Sequence, residues 1–252
     1  MSERIVPPGL NNWCISAQGL DCCGQIEDLY DSDTKGAYRK ILQLGLPTVA
    51  RVDCDPNEFI EHPDSFFEQI PTDTYWIAVS SDINESAPRE RAYNLERGTA
   101  LDFVNKLARS GRGYNLMELK ENHRYNISGT ISVAPNAFDV YVEAVNGGLS
   151  DLMHGGRVDH IAIRDSFTGS FKYQTDDIEA RQSISNAISR IPSPTPGGEN
   201  APARDRLYVP GQYEVMIYQG RPFFTEYTDN KVVSEVFRDL GIVAVGDTVF
   251  DV

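Results

Sequence analysis

The sequence predicts an α+β fold, with helices interleaved among strands in its first half and an antiparallel sheet in its second. Three observations carry that prediction. Amphipathic runs of helical period recur in "TKGAYRKILQLGL", "GTALDFVNKLARSG" and "DDIEARQSISNAISRI". Between Tyr114 and Tyr173 five short runs alternate or are continuously apolar, with Gly, Asn and Asp between them. Near the C-terminal end, "PGQYEVMIYQGRPFFTEYTDN" has the spacing of a hairpin turned at Gln219-Gly220.

The elements follow in chain order. Residues before 30 are rich in Gly, Asn and Cys without a clear period, and 1–33 form an N-terminal extension. Ala37, Tyr38, Ile41, Leu42 and Leu44 then fall near helical spacing, Gly45 provides a C-terminal stop and Pro47 lies just beyond. "PTVARVDC" reads as a strand. "NEFIEHPDSFFEQI" reads as a helix or two short ones broken at Pro63, and "TYWIAVSS" as a buried strand. In the helix "GTALDFVNKLARSG", Leu101, Val104, Leu107 and Ala108 share one side. "YNLMELKE", "NISGTISVAP", "FDVYVEAV", "VDHIAIRD" and "GSFKYQ" are the strands of the second half, with "DSFTGSF" a hairpin turn. The helix "DDIEARQSISNAISRI" starts on acidic residues that favour its N-terminal dipole. "PSPTPGGENAPARD" is a Pro/Gly-rich loop. After the hairpin come a short helix, "KVVSEVFRDLG", and an apolar tail, "IVAVGDTVF". There are no internal repeats.

At 252 residues, with 40% hydrophobic and 24% charged residues, the chain can bury a sizeable core as one large domain or two packed smaller ones. A formal net charge of −14 argues against a nucleic-acid surface, where Lys and Arg dominate. It leaves room for a small anion in a locally positive pocket, or for Mg²⁺ to supply the missing charge. No apolar run is long enough to span a bilayer and no signal-peptide core is visible, so a cytoplasmic protein is expected. Cys14, Cys22, Cys23 and Cys54 lack a C-x-x-C pattern and read as free thiols. His154 and His160 flank a Gly-Gly turn, a weak metal signal beside the scattered His62 and His123.

The C-terminal hairpin carries the most specific chemistry. Strand alternation suggests that Glu214 and Glu226 face the same side of the ladder. Carboxylates held close repel unless a cation, a shared proton or water relieves them, and a hard divalent ion such as Mg²⁺ does so through oxygen ligands. Spacing alone is better matched by two solvated glutamates on a hairpin.

Four stretches taken in order resemble the nucleotide-binding region of the phosphoenolpyruvate synthase, pyruvate phosphate dikinase and rifampin phosphotransferase group, whose fold is ATP-grasp-like. They are "TKGAYRKILQLGLPTVARV", "YWIAVSSDINESAPRERAYNLERGTALDFV", "ISGTISV" with "VYVEAVNGGLSDLMHGGRVDHIAIRDSFTG", and "YEVMIYQGRPFFTEY", together spanning about Lys35 to Asn230. No one piece is specific; their order carries the resemblance. It implies one lobe over 34–112 and a second over 113–252, with ATP and Mg²⁺ as cofactors. By the same resemblance Glu214 and Glu226 are metal ligands, with Asp229 or Asn230 adding oxygens. Lys35 becomes a phosphate contact, the alternative being a solvated residue at a helix start, a role it suits poorly because a cation there opposes the dipole. Met117, Glu118 and Leu119 become the hinge edge for adenine.

Departures accompany the match. Ser80 stands where the family has a phosphate-clamping arginine, which leaves Arg89 or Arg91 as substitutes or as plain surface charges. The phosphohistidine domain and pyruvate-binding barrel of the family have no counterpart here. Two functions are therefore expected. The first is an ATP- and Mg²⁺-dependent ligase or phosphotransferase acting on an unidentified acceptor, with the Pro/Gly-rich loop as a lid. The second is a non-catalytic nucleotide sensor or protein-interaction module, with a protein partner.

Overall fold

Two antiparallel sheets organise the chain in the computed structural model, which describes residues 34–81, 90–134, 136–149, 152, 157–165, 167–195 and 201–228. The chain divides into two compact units, residues 49–124 and the remainder. The α+β class and the antiparallel pairing are as expected from the alternating runs.

The smaller unit is a four-stranded sheet in the order β1-β4-β2-β3, formed by β1 (Arg51–Cys54), β4 (Leu116–Glu121), β2 (Tyr75–Ser80) and β3 (Glu90–Leu95). Helices α2 (Pro56–Glu61), α3 (Pro63–Gln69) and α4 (Arg97–Ala108) complete it. The break expected at Pro63 is real. Pro63 opens α3, and His62 ends one helix while starting the next. Asp55 caps α2 by accepting from Asn57 N at 2.7 Å. One sheet face is apolar: Ile77, Val79, Met117 and Leu119 pack with Phe59, Phe67, Ala100 and Val104. The opposite face is ionic, as alternation along the same strands requires. Arg51 bonds Asp53 at 2.7 Å and Glu118 at 3.2 Å, while Lys120 reaches Glu118 at 3.1 Å and lies 4.0 Å from the Trp76 ring centre. Strand β3 is not among the elements expected from the sequence. Its exposed positions alternate only loosely, and its strand character comes from pairing with β2.

The larger unit is a six-stranded sheet in the order β10-β9-β5-β6-β7-β8. Its strands are β5 (Ile127–Val133), β6 (Val140–Asn146), β7 (His160–Arg164), β8 (Phe171–Tyr173), β9 (Gly211–Tyr218) and β10 (Arg221–Thr228). Helix α1 (Thr34–Gln43) packs on β10, and α5 (Ile178–Arg190) packs on β10, β5 and β9. Asp177 caps α5, accepting from Ala180 N at 3.0 Å. Ile131, Val142, Val215, Tyr213 and Phe224 line the sheet face that meets Ile41, Ile184 and Ile188. Gly129 is needed for close strand approach, because a Cβ there would lie 2.3 Å from Glu143 O and 2.8 Å from Ala144 Cβ. The β9–β10 turn has φ of 50° at Gln219 and 73° at Gly220, the twist of the two-residue turn expected there.

The extension 1–33, the helix "KVVSEVFRDLG" and the tail "IVAVGDTVF" lie outside the described residues. Helix α1 falls in the larger unit and β4 in the smaller, so the compact units do not follow a division at 112/113. No helix among the described residues is long and apolar enough to cross a membrane.

Candidate metal and nucleotide site

The second face of the large sheet carries a row of polar side chains among apolar ones, and most of that row is buried. Alternation from the apolar positions puts Ser128, Thr130 and Ser132 of β5 on it, with Gln212 and Glu214 of β9 and Glu143 of β6. Ser128, Thr130, Glu143 and Gln212 are each at most 2% exposed, and Glu214 is 8% exposed. Buried polar groups are kept in a fold only where partners or ligands repay their desolvation. The Thr130 and Ser132 hydroxyls are buried and have no hydrogen-bond partner among the described residues.

Register fixes the geometry of the row. Glu226 is the direct cross-strand partner of Glu214, Glu214 of Thr130, and Thr130 of Glu143. Directly opposed residues have Cβ atoms about 5 Å apart, so the two hairpin carboxylates are immediate neighbours on one face. A β-bulge makes this possible. From Arg221↔Tyr218 to Phe224↔Val215 the pairing is regular, and continuing it would set Glu214 opposite Thr225 and turn Glu226 to the apolar face. The register shifts between Phe224 and Glu226, so Thr225 is the extra residue and Glu226 comes round opposite Glu214. Alternation alone reached the right face for an incomplete reason.

The remaining candidates are placed as follows. Lys35 lies in the first turn of α1, consistent with a helix start. Arg91 is exposed on β3. Arg89 and Asn230, with Asp229, lie outside the described residues. Met117, Glu118 and Leu119 occupy an internal strand paired with β1 on one side and β2 on the other. Their backbone groups are engaged in both ladders, which leaves no open hinge edge for an adenine ring. Met117 and Leu119 are core residues, and Glu118 is held by Arg51 and Lys120. Ser80 ends β2, and its carbonyl accepts from Asn115 N at 3.2 Å.

Among the described residues the histidines do not make a metal centre. His160 is buried, with Nδ1 2.9 Å from Thr175 Oγ1 and Nε2 2.9 Å from Asn146 Oδ1, while His154 lies outside the described residues. Among the described residues no group of three or more His, Cys, Asp or Glu side chains is placed to hold a metal. Two carboxylates remain at the hairpin. That is the protein share usual for Mg²⁺, which keeps waters and takes phosphate oxygens for its other positions. Glu143 and Thr130 were missed in the sequence. Their signal was a lone Glu inside the apolar run "VYVEAV" and a Thr inside "ISGTISV".

No family model and no curated protein matches the chain. Among solved structures, a macrocyclase MdnC bound with precursor peptide MdnA, from Microcystis aeruginosa MRC, aligns with a TM-score of 0.38 and 14% identity, over 79% of this chain and 53% of that one. A D-alanine-D-alanine ligase from Coxiella burnetii aligns at 0.40 and 10%, over 88% and 59%. A Chryseobacterium gregarium RiPP-associated ATP-grasp ligase, in complex with ADP and a leader and core peptide, aligns at 0.38 and 14%, over 91% and 71%. The chain spans between half and three fifths of the length of the first two.

Proposed function

We propose that the chain is an ATP- and Mg²⁺-dependent ligase or phosphotransferase whose metal is held at the β9–β10 hairpin. The observation that carries this reading is the cross-strand pairing of Glu214 with Glu226 on a buried polar face. The oxygen-only donor set suits a hard divalent ion, and the orphaned Thr130 hydroxyl beside Glu214 gives a bound water a partner. When bound, Mg²⁺ would neutralise phosphate oxygens during phosphoryl transfer. The protein residues supply the rest. Glu214 and Glu226 fix the ion on a rigid ladder rather than on a loop. Asn230 extends the donor set beyond β10. Lys35 contacts phosphate, and Arg89 or Arg91 supplies the clamping charge that Ser80 lacks. The adenine contact is not assigned to Met117, Glu118 or Leu119.

Ser80 favours a second reading, a nucleotide sensor or protein-interaction module without turnover. It ends β2 where the resembled family has its clamping arginine. Calorimetric titration of ATP, with and without Mg²⁺, tests the first reading on wild type and on Glu226→Gln. Metal-dependent binding weakened at least ten-fold by the substitution supports the hairpin site, and the absence of binding in wild type overturns it. Tight binding with no ATP consumption across an acceptor screen selects the sensor.

A further inference from the structure

A concavity of mixed polar and apolar lining lies on the opposite side of the large sheet, where helix α5 and strand β8 meet the segment 203–208. Its volume is about 310 Å³, at the small end for ligand clefts. Ser170, Tyr173, Ser185, Ser189, Tyr208 and Arg206 line it among others. Five hydroxyls and a guanidinium thus converge on one small space.

The charge balance of this corner is unusual in a chain of net charge −14. Arg206 Nε is buried without a hydrogen-bond partner, and no ion pair to its guanidinium occurs among the described residues. A buried donor left unmade costs about 1–3 kcal/mol, more when charged. Neighbouring Arg164 is 4% exposed and likewise forms no ion pair among the described residues. Its three nitrogens donate to backbone carbonyls: Nε to Gly169 O at 3.3 Å, one terminal nitrogen to Phe138 O at 2.7 Å and the other to Ala203 O. Its ring contacts are Phe138 at 3.8 Å and Tyr208 at 5.2 Å. Burial pushes the Arg164 guanidinium below its usual value, Tyr208 and Asp139 oppose that shift, and the positive charge of Arg206 adds to it. Arg164 is committed to structure. Arg206 is not.

The hydroxyls are partly committed. Ser185 is hydrogen-bonded to Tyr173, Ser189 Oγ donates to Asn186 O at 2.7 Å, and Ser170 Oγ lies 2.6 Å from Thr168 Oγ1. Each retains acceptor or rotor freedom to reorganise around an anion. A lining guanidinium with no ion pair among the described residues, the buried positive charge of Arg164 nearby and several hydroxyls suit a tetrahedral oxyanion better than a cationic ligand.

We propose that this concavity binds a phosphate group, as inorganic phosphate or a small phosphate monoester, through Arg206 with Ser185 and Ser189. The site is independent of the hairpin carboxylates, which face the other side of the sheet. The test is a calorimetric titration of inorganic phosphate into the full chain, free of nucleotide and Mg²⁺. In parallel, the Arg206 Nε–Hε resonance is followed by NMR. Wild type is expected to saturate at one equivalent with a shifted Arg206 signal. Arg206→Leu should lose roughly 10- to 100-fold in affinity, the range for a hydrogen bond to a charged group. Arg206→Lys should fall between the two. Glycerol phosphate against inorganic phosphate separates the two sources, a monoester being preferred if the ester group fills the cavity. No saturable binding by wild type, binding with no movement of the Arg206 signal, or succinate bound as tightly as phosphate would overturn the proposal.

Discussion

Single residues in this chain carry opposite demands of stability and function. Thr130 is 1% exposed and its hydroxyl has no partner among the described residues, while its Cα neighbours are Glu143 and Glu214. Replacing it with valine removes an unsatisfied polar atom at nearly constant shape. Thr130→Val should therefore raise stability by about 1 kcal/mol, read from a urea midpoint, because the cost of an unmade buried hydrogen bond disappears. The same variant should weaken Mg²⁺-dependent nucleotide binding, since it removes a donor and acceptor next to the carboxylate pair. A loss of stability with unchanged binding would mean that the hydroxyl has a purely structural role. Cys54 makes a simpler case. Burial, with Glu58, Asp53 and Asp55 nearby, pushes its thiol from 9.0 up to about 12. A raised folded value favours the neutral thiol, so its stabilising contribution is complete below the unfolded value near 9 and fades as pH climbs toward 12. Thiol reagents should therefore label Cys54 slowly at pH 8 in native protein and rapidly in urea, as followed by mass spectrometry of that peptide. Rapid native labelling would contradict the burial. The identity of Glu214 and Glu226 as candidates was legible in the residue string. The hydroxyl row was not, because serine and threonine inside an apolar strand read as ordinary β-formers until register aligns them across strands.

At the scale of elements, the runs with a clean period were the ones that could be read. The break at Pro63, the helix at 97–108 and the Gln219-Gly220 turn all follow from local chemistry that needs no tertiary information. Strand β3 and the Thr225 bulge were not legible. The first is stabilised by its neighbour rather than by pattern, and the second is a mismatch between two strand lengths that only pairing reveals. The bulge leads to a paired prediction. Deleting Thr225 leaves Phe224 opposite Val215 and brings Glu226 opposite Glu214 without a register shift, so the deletion should fold and lose no more than about 1–2 kcal/mol. Deleting Phe223 can keep Glu226 in register only by consuming the bulge, which turns Phe224 out of the apolar face and puts Thr225 in its place. Loss of a buried phenylalanine contact costs about 3–5 kcal/mol, so this deletion should unfold at much lower denaturant. Equal stability of the two deletions would show that Thr225 is not the extra residue.

Across the whole molecule, the legible part was the class of fold, because alternation and helical period sum over many residues. The division into units was harder to read. Helix α1 and strands β5–β10 come together from segments on both sides of residues 49–124, and neither boundary interrupts the local pattern in a way that marks a change of unit. This arrangement bears on how ligand binding should register in stability. A ligand bound only by the native state stabilises by mass action, about 2.7 kcal/mol at a hundred times its Kd. For a chain of this size each kcal/mol moves Tm by about 2–4 °C, so saturating ATP with Mg²⁺ should raise the melting temperature by roughly 5–10 °C. The rise should need both components, because the carboxylate pair offers nucleotide phosphates no attraction without a cation between them. Glu226→Gln should abolish most of it while changing the ligand-free melting temperature little, Glu226 being only half-buried near the end of β10. Differential scanning calorimetry resolves whether one or two transitions occur. The hairpin lies in the larger unit, so the transition that moves must be the one lost first when α5 is destabilised by Asp177→Ala, a cap worth about 1 kcal/mol. A shift confined to the other transition, or one that persists undiminished in Glu226→Gln, would place the nucleotide away from the hairpin and end the reading of Glu214 and Glu226 as its metal ligands.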